Sequence, residues 1–429
     1  MHPGPCSIAA LLLLLPAVSA ASLRYQRDAN LIVVDGSTVT PSTLKAALPS
    51  APLELVDARR RVWLLSASVL LTNGAQLRIH GHSVGGDADE LRLRSDNVSG
   101  GRVVSVTADH GSIDIRATRV VSWDSAAGHP DVDWESYGRA FIRARSRLRA
   151  MVLTRLESRM DVVDSEVAWL GSDASESYGL VWKVVAPDAY VLDHVRVHGS
   201  VLRSHIHHNY FGLYAAGARG NQWIGNRVHH NVQYGMAPHL RSDDLRIENN
   251  DVHDNGHHGI TVRQHCSRVV IRDNRVWANR VDGITLHGSS NNSVVTGNQV
   301  AGNGESGITI HESAGIAVRG NTVRDNGQSG IQVAMGSRSN RIEDNDLRNN
   351  GFYGVFVGKG RGRPGTGRDP LPRQNQVAGN RVFGSGIANL RTGDPALNTW
   401  ANNVEAQHPG PVAVKEVLVL PRPPLPQPP

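Results

Sequence analysis

Cysteines and aromatic residues are scarce in this sequence. Of 429 residues, two are cysteines and 5% are aromatic, whereas 44 are glycines. This composition favours many short strands joined by tight corners over a bundle of helices. Cys6 lies within the leader predicted below, so the remaining chain would keep Cys266 alone. An intramolecular disulfide is thereby excluded, and Cys266 is expected to be buried.

Long apolar stretches are scarce too. The run from Ala9 to Leu15 is too short to cross a bilayer, and no other candidate span follows. The small residues Val18, Ser19 and Ala20 come soon after this run, so residues 1–21 are predicted to be a signal peptide, although no lysine or arginine precedes the run. We therefore expect an exported protein with no membrane span.

Acidic residues are fewer than basic ones. The formal net charge is +6 and the sequence pI is about 9.6. An acidic polymer is therefore a natural partner, but charge alone does not separate nucleic acid from an acidic polysaccharide. A merely basic surface is the simpler alternative.

One pattern recurs about every 24 residues. A glycine is followed by a short segment whose first and third residues are apolar, and the glycines are Gly235, Gly259, Gly283, Gly307, Gly330 and Gly354. Because strand side chains alternate between faces, the fourth residue after each glycine should point outward. If each repeat is one coil of a stack, these residues form a column spaced by about 4.8 Å. The first four are His239, Arg263, His287 and His311.

Asparagines repeat in step with the glycines. One set is Asn226, Asn250, Asn274, Asn298, Asn321 and Asn345, and a second set follows five residues later. Stacked asparagines can join coils by hydrogen bonds, and asparagine tolerates left-handed turns. A period of this length indicates a repeat architecture, and the leucine-rich consensus is absent. The predicted fold is all-β: a right-handed parallel β-helix, a single-stranded solenoid with about 24 residues per coil.

The rest of the chain is organised around this array. We predict a signal peptide at 1–21, an N-terminal cap at 22–55, the β-helix at 56–405 and a proline-rich tail at 406–429. Loops are expected to protrude near 124–140 and 359–373, and the second is rich in arginine, glycine and proline.

A column of histidine and arginine suits the chemistry of a polyuronate. Pairing a sugar carboxylate with a fixed arginine supports the extra charge that develops when the neighbouring carbon loses its proton. A neutral histidine nearby can take that proton. Return of a proton from the opposite face gives epimerisation, whereas loss of the oxygen at carbon 4 gives lyase cleavage. The column alone does not choose between them.

Two motifs carry a resemblance to a known family. YGMAPHLRS at 234–242 and HGITVRQH at 258–265 resemble motifs of the periplasmic mannuronan C-5-epimerases of alginate biosynthesis, which read YG-x-DPHDRS and HGI-x-x-SR. The similarity extends over roughly residues 55–360. It implies a polysaccharide isomerase in which His239 is the catalytic base and Arg263 neutralises the substrate carboxylate. With the predicted signal, we expect a periplasmic protein, with secretion as the alternative.

The motif also departs from the family. Ala237 and Leu240 stand where the family has aspartates, which could orient the histidine or raise its basicity. A polyuronate lyase on the same scaffold therefore stays open, as does a non-catalytic polysaccharide-binding β-helix. The column holds no lysine and the sequence shows no acidic calcium cluster, two features common in β-helix lyases.

Four further residues are candidate substrate contacts. His287 and His311 continue the column toward flanking sugars, and Arg241 and Gln264 border it. We expect no cofactor and no metal, because the other histidines are predicted to lie on several faces and zinc needs three or four converging ligands. The expected partner is an anionic, alginate-like polymer such as polymannuronate, not nucleic acid. An envelope complex for polysaccharide export is a further expected partner.

Overall fold

Three long parallel sheets wind around one apolar core. The computed structural model describes residues 22–95, 103–135, 138–147, 157–185, 189–360 and 371–406. Each turn of the chain contributes one strand to each sheet, and successive strands of a sheet are one coil apart. The exceptions at the N-terminal end are two antiparallel pairs, Ser22–Gln26 with Leu31–Asp35 and Leu53–Asp57 with Val62–Leu65. The predicted fold class is confirmed. The predicted signal peptide, and almost all of the proline-rich tail, lie outside the described residues.

The strands are short where the repeat is regular and longer near the N-terminal end. The first sheet comprises Ser22–Gln26, Leu31–Asp35, Ser68–Thr72, Ser105–Asp109, Phe141–Arg147, Gly179–Val185, Phe211–Ala216, Met236–His239, Ile260–Arg263, Ile284–His287, Ile308–His311, Ile331–Ala334, Tyr353–Val357 and Ala388–Thr392. The second comprises Thr38–Val39, Gln76–His80, Ser112–Arg116, Arg159–Val163, His198–Leu202, Gln222–Ile224, Arg246–Glu248, Val270–Arg272, Val294–Thr296, Ala317–Arg319, Arg341–Glu343, Gln376–Ala378 and Thr399–Ala401. The third comprises Leu53–Asp57, Val62–Leu65, Glu90–Arg94, Arg119–Asp124, Glu166–Ala168, His205–His207, Arg227–His229, Asp251–His253, Arg275–Trp277, Gln299–Ala301, Thr322–Arg324, Asp346–Arg348, Arg381–Phe383 and Val404–Ala406, with His129–Pro130 paired to it.

Helices are few and short. The α-helices are Pro41–Ala47 and Ala189–His194, and 3-10 turns occupy His82–Val84 and Pro395–Leu397. Thr40 caps the first α-helix by accepting the backbone N–H of Thr43. Within the described ranges, no helix combines the length and apolar character needed to cross a membrane.

Alternation along the strands fills the core. Ile260 pairs with Ile284, and Ile284 with Ile308, and all three side chains are fully buried. The repeated glycine packs too closely against neighbouring atoms to carry a side chain. A Cβ added at Gly259 would come within 2.6 Å of the Val276 side chain. Cys266 is buried, as predicted.

Asparagine side chains link the coils, as predicted. The side-chain oxygen of Asn274 accepts both the backbone N–H of Asn250, at 3.0 Å, and its side-chain amide, at 2.9 Å. The same contacts recur along both sets of asparagines from Asn226 and from Asn231. Each buried amide is thereby satisfied, which removes the cost of burying it.

The two predicted loops differ in how far they are described. Trp134, within 124–140, packs with its ring centroid 5.1 Å from that of Tyr210, so this loop reaches the first sheet near the start of the regular coils. Most of the basic loop at 359–373 lies outside the described residues.

Candidate active site

The predicted column lies on the outer face of the first sheet. Arg263 pairs with His287, and His287 with His311. Met236 pairs with Ile260, so an unbroken register sets His239 opposite Arg263. The bond from the Arg241 N–H to the Gln264 carbonyl, 3.0 Å, keeps that register beyond Pro238. We call this face, with His239, Arg263, His287 and His311, the groove column.

His239 is half-buried and packs against two aromatic rings. Its ring centroid lies 5.2 Å from that of Tyr214 and 6.3 Å from that of Tyr234. Its Nε2 is covered and has no hydrogen-bond partner among the described residues. Burial, with the charge of Arg263, lowers the pKa of His239 to about 3. The imidazole is therefore neutral at neutral pH and carries an unused nitrogen.

Arg263 is half-buried beside His239. Its Nη1 donates to the Tyr234 hydroxyl at 3.5 Å, a long contact. No carboxylate forms an ion pair with Arg263 within the described ranges. A guanidinium without a partner acid is available to an incoming carboxylate.

A half-buried histidine and a buried aspartate lie next to this pair. The Tyr234 ring stacks on His258 at 5.7 Å and 5°. The Nδ1 of His258 accepts the backbone N–H of Asp282 at 3.2 Å, so it is the unprotonated nitrogen of a neutral ring. Burial lowers the pKa of His258 to about 2 and raises that of Asp282 to about 7. His258 is therefore neutral beneath Tyr234, and burial shifts Asp282 beside it toward its protonated form.

The lower part of the column is mixed in charge. The Nε2 of His287 lies 2.9 Å from the Glu312 carboxylate. His311 is half-buried, and its covered Nε2 has no partner in the described part of the chain. Burial lowers the pKa of His311 to about 4. His287 is therefore held by an acid, while His311 presents a neutral ring.

The two residues expected to border the column lie at the corner after it. Arg241 forms an ion pair with Asp193, and Gln264 is exposed. Gln264 and Glu312 line one shallow depression. The structure thus leaves Gln264 available to a ligand and ties Arg241 to the helix Ala189–His194.

Ala237 and Leu240 occupy different environments. Ala237 is fully buried in a small apolar cluster with Val181, Phe211 and Tyr214. Leu240 is exposed and has a left-handed backbone, with φ of 43°. An aspartate would be buried at the first position and solvated at the second.

Some residues of this face escaped the sequence analysis. Tyr234 and Tyr214 flank His239. Asp282 adjoins His258, which stacks on Tyr234. Upstream, Lys183 pairs with Ala216 and with Arg145, which extends the column in the N-terminal direction. The expectation of a column without lysine is therefore wrong for this extended column. Lys183 and Arg145 already form ion pairs with Glu176 and Asp109, at 2.8 and 2.9 Å.

The expectation that the other histidines scatter over several faces is wrong for six of them. His205, His207, His208, His229, His230 and His253 lie together on or beside the third sheet. These histidines lie on third-sheet strands, whose distance along the chain from the first-sheet glycine does not by itself identify the face that a side chain occupies.

The region that contains this site is similar in sequence to known proteins. A family model described as periplasmic copper-binding protein (NosD) matches residues 188–361. The mannuronan C5-epimerase of Pseudomonas aeruginosa is 27% identical over 228 residues, which is 53% of this chain and 38% of that protein. Mannuronan C5-epimerase AlgG of Azotobacter vinelandii is 26% identical over 220 residues, 51% of this chain and 38% of that protein. The resemblance to mannuronan C5-epimerases is confirmed.

The matched parts are limited in length. The aligned region spans 38% of either relative. The crystal structure of the periplasmic alginate epimerase AlgG superposes with a TM-score of 0.76 and 23% identity, covering 88% of this chain and 85% of that one. At this identity the superposition supports the β-helix fold.

Proposed function

We propose that this protein is a polyuronate-modifying enzyme, a mannuronan C5-epimerase that converts mannuronate to guluronate residues within a polymer. One observation carries the proposal: a neutral histidine with an unused nitrogen lies in register with an arginine that has no partner acid. The similarity to mannuronan C5-epimerases supports the choice of substrate.

The reaction needs a carboxylate clamp and a base. Arg263 would hold the carboxylate and support the charge that spreads into it when carbon 5 loses its proton. The same carboxylate would offset the arginine's charge, which raises the pKa of His239 toward the range in which a base is effective. The Tyr234 hydroxyl, 3.5 Å from Arg263, is a second group that can exchange a proton beside that carboxylate.

Substrate binding must also uncover His239. Its Nε2 is buried in the free protein, so a neighbouring side chain has to move before carbon 5 can approach. Arg263 is suited to this, because its contact to Tyr234 is long and a substrate carboxylate offers a stronger, charge-assisted bond.

Gln264, His287 and His311 are proposed to contact flanking sugars. They continue along the same face and the corner beside it. Arg241 is proposed to join them only if the polymer competes with Asp193. We further propose that the protein acts in the periplasm and meets its polymer within an export assembly.

The replaced aspartates favour a second function. With Ala237 in an apolar cluster and Leu240 at the surface, the site has lost two acids that the family motif carries. A non-catalytic protein that binds the polymer through Arg263 and its neighbours is therefore the second proposal.

One experiment separates these proposals. The purified protein is incubated with polymannuronate in deuterated water, and the polymer is analysed by NMR. Deuterium at carbon 5 without chain shortening is expected for the epimerase. Unsaturated chain ends would show a lyase, and binding without exchange would support the non-catalytic protein. Absence of both binding and exchange would refute the groove column as a polyuronate site.

A further inference from the structure

Five of the six histidines of the third sheet form two adjoining columns, and His205 lies beside them; we call the six together the histidine patch. His207 pairs with His229, and His229 with His253. Each is followed by a residue in the left-handed conformation: His208, His230 and Asp254, with φ of 56°, 53° and 53°. The second column therefore repeats as regularly as the first. His205 lies on the same strand as His207.

The packing of the rings does not by itself require histidine. His229 stacks on His253 at 4.8 Å and 12°, and His253 stacks on Trp277 at 4.2 Å and 10°. Trp277 continues the stack, so an aromatic ring other than imidazole can occupy a position in it. What imidazole adds is nitrogen lone pairs, and here they converge.

Several nitrogens lie within direct contact of one another. The Nε2 atoms of His205 and His229 are 2.6 Å apart, and so are the Nδ1 atoms of His229 and His230. The Nδ1 of His253 is 2.6 Å from the Asp254 carboxylate. One ligand atom each from His230, His253 and Asp254 lies within 4.8 Å of the others.

We propose that His230, His253 and Asp254 bind a divalent transition-metal ion of the class that prefers imidazole, such as Zn²⁺ or Cu²⁺. Two imidazoles and one carboxylate are a donor set that such ions accept, with bonds of about 2.0–2.2 Å. Ligands at that distance lie about 3–3.5 Å from each other. On metal binding, the distance between the His253 and Asp254 ligand atoms would therefore increase slightly, and His230 would move closer to both.

The burial of the three residues suits this adjustment. His253 is 2% exposed and fixed in the stack, whereas His230 and Asp254 are exposed. An ion can reach the site from solvent, and the two exposed ligands can turn to meet it. The Nδ1 of His229, in contact with His230, is in reach as a further ligand.

Without an ion, Arg227 forms a hydrogen bond to His253 that metal binding would have to break. Its Nε donates to the Nε2 of His253 at 3.3 Å, so that nitrogen is the acceptor and the proton sits on Nδ1, facing Asp254. An ion at Nδ1 displaces this proton to Nε2, and the ring stays neutral. Arg227, which only donates, then has to swing away. This side chain is exposed and can do so.

Calorimetric titration of the chelator-treated full chain with Zn²⁺, and separately with Cu²⁺, tests the site. We expect one saturable site per chain for at least one of the two ions. His230→Ala and Asp254→Asn should each weaken binding at least tenfold, and both positions are exposed, so the fold should survive. Arg227→Ala should strengthen binding several-fold, because it removes a competing donor and a positive charge.

A matched control uses a histidine on another part of the surface. His265 is exposed and has a left-handed backbone like His230, with φ of 64°. His265→Ala should leave metal affinity unchanged. If the wild type shows no saturable binding of either ion, or if His230→Ala binds as tightly as the wild type, the proposal is wrong. Circular dichroism of each variant confirms that the β-helix is intact.

Discussion

Histidines cluster on two faces of the same β-helix, and their neighbours differ. In the groove column, His239 adjoins an arginine without a partner acid and two tyrosines. In the histidine patch, imidazoles adjoin one another and a carboxylate, at 2.6 Å. The first setting keeps a neutral base beside a fixed positive charge, which suits proton transfer from an anionic sugar. The second gathers lone pairs beside a negative charge, which suits a cation.

The largest expected effect is the loss of exchange activity on removal of His239 from the groove column. His239→Ala should abolish deuterium exchange at carbon 5, a loss of about 10²–10⁴-fold, because it removes the base. Polymer binding should be largely kept, since the base acts mainly in the transition state. NMR and a binding assay on the same samples measure both. His82→Ala, at an exposed site near the N-terminal end, is the control. Full exchange in His239→Ala would refute its assignment as the base.

Arg263→Ala should damage both binding and turnover. The arginine holds the carboxylate before and during the reaction, so a loss of about 2–4 kcal/mol in transition-state stabilisation is expected. Arg263→Lys should recover part of the binding and little of the rate, because lysine lacks the fork geometry. Steady-state kinetics with a defined oligomannuronate separate kcat from KM. An unchanged KM in Arg263→Ala would contradict the clamp.

The two replaced positions should respond differently to aspartate. Ala237→Asp buries a carboxyl in an apolar cluster and should lower the free energy of unfolding by about 1–3 kcal/mol. Leu240→Asp places it in solvent at a left-handed corner that aspartate tolerates, so stability should hold. If this is a weakened epimerase, either change should raise the exchange rate. Chemical denaturation and NMR exchange assays give both quantities.

Acid should destabilise the groove. His239, His258 and His311 have folded pKa values lowered to about 3, 2 and 4 by burial, against about 6.5 in an unfolded chain. The unfolded chain therefore binds more protons below pH 6.5. The stability that depends on neutral histidines is present above that pH and is lost as pH falls toward 4. Asp282, with its pKa raised to about 7, acts in the opposite direction and offsets part of the loss.

Thermal unfolding from pH 7 to pH 4, with a chelator present, measures this effect. The chelator removes any contribution from metal in the histidine patch. His239→Gln combined with His311→Gln should flatten the curve. A melting temperature that does not fall between pH 7 and pH 4 in the wild type would contradict the burial of these rings.

The smallest effect concerns the acid within the groove. Glu312 holds His287 at 2.9 Å and is more than half exposed. Glu312→Gln removes a negative charge from the path of a polyanion, so polymer affinity should rise a few-fold, most clearly at low salt. Fluorescence titration at two salt concentrations measures it. Weaker binding in the variant would indicate that Glu312 contacts the polymer directly.

The fold and the groove column could be predicted because their signals repeat. The glycine is required by a close approach, and the asparagines satisfy each other from coil to coil, so both recur at a fixed period. Given that period, alternation alone assigns His239 and Arg263 to the outside. The chemistry of the column then follows from the residue types.

The support of the site and the histidine patch could not be predicted in the same way. His258 and Asp282 precede their glycines, at a position where residue type changes from coil to coil. Arg145 lies on a strand that no such glycine precedes, since Phe141 stands four residues before it. Lys183 does follow a glycine, Gly179, by four residues, but Gly179 lies outside the regular 24-residue spacing. The patch lies on strands of three residues, as in Arg227–His229, too short for alternation to identify a face.

The asparagine ladder fixes the coils to each other but not their lengths. Most of its contacts join residues 24 apart in sequence, yet Asn298 meets Asn321 after 23 and Asn345 meets Asn380 after 35. In both cases the difference arises at the corner that follows the first-sheet strand, beside the groove. Residues can therefore be gained or lost along that rim while the stack stays in register. The rim is therefore the part of the molecule where natural or engineered changes of loop length should disturb the scaffold least.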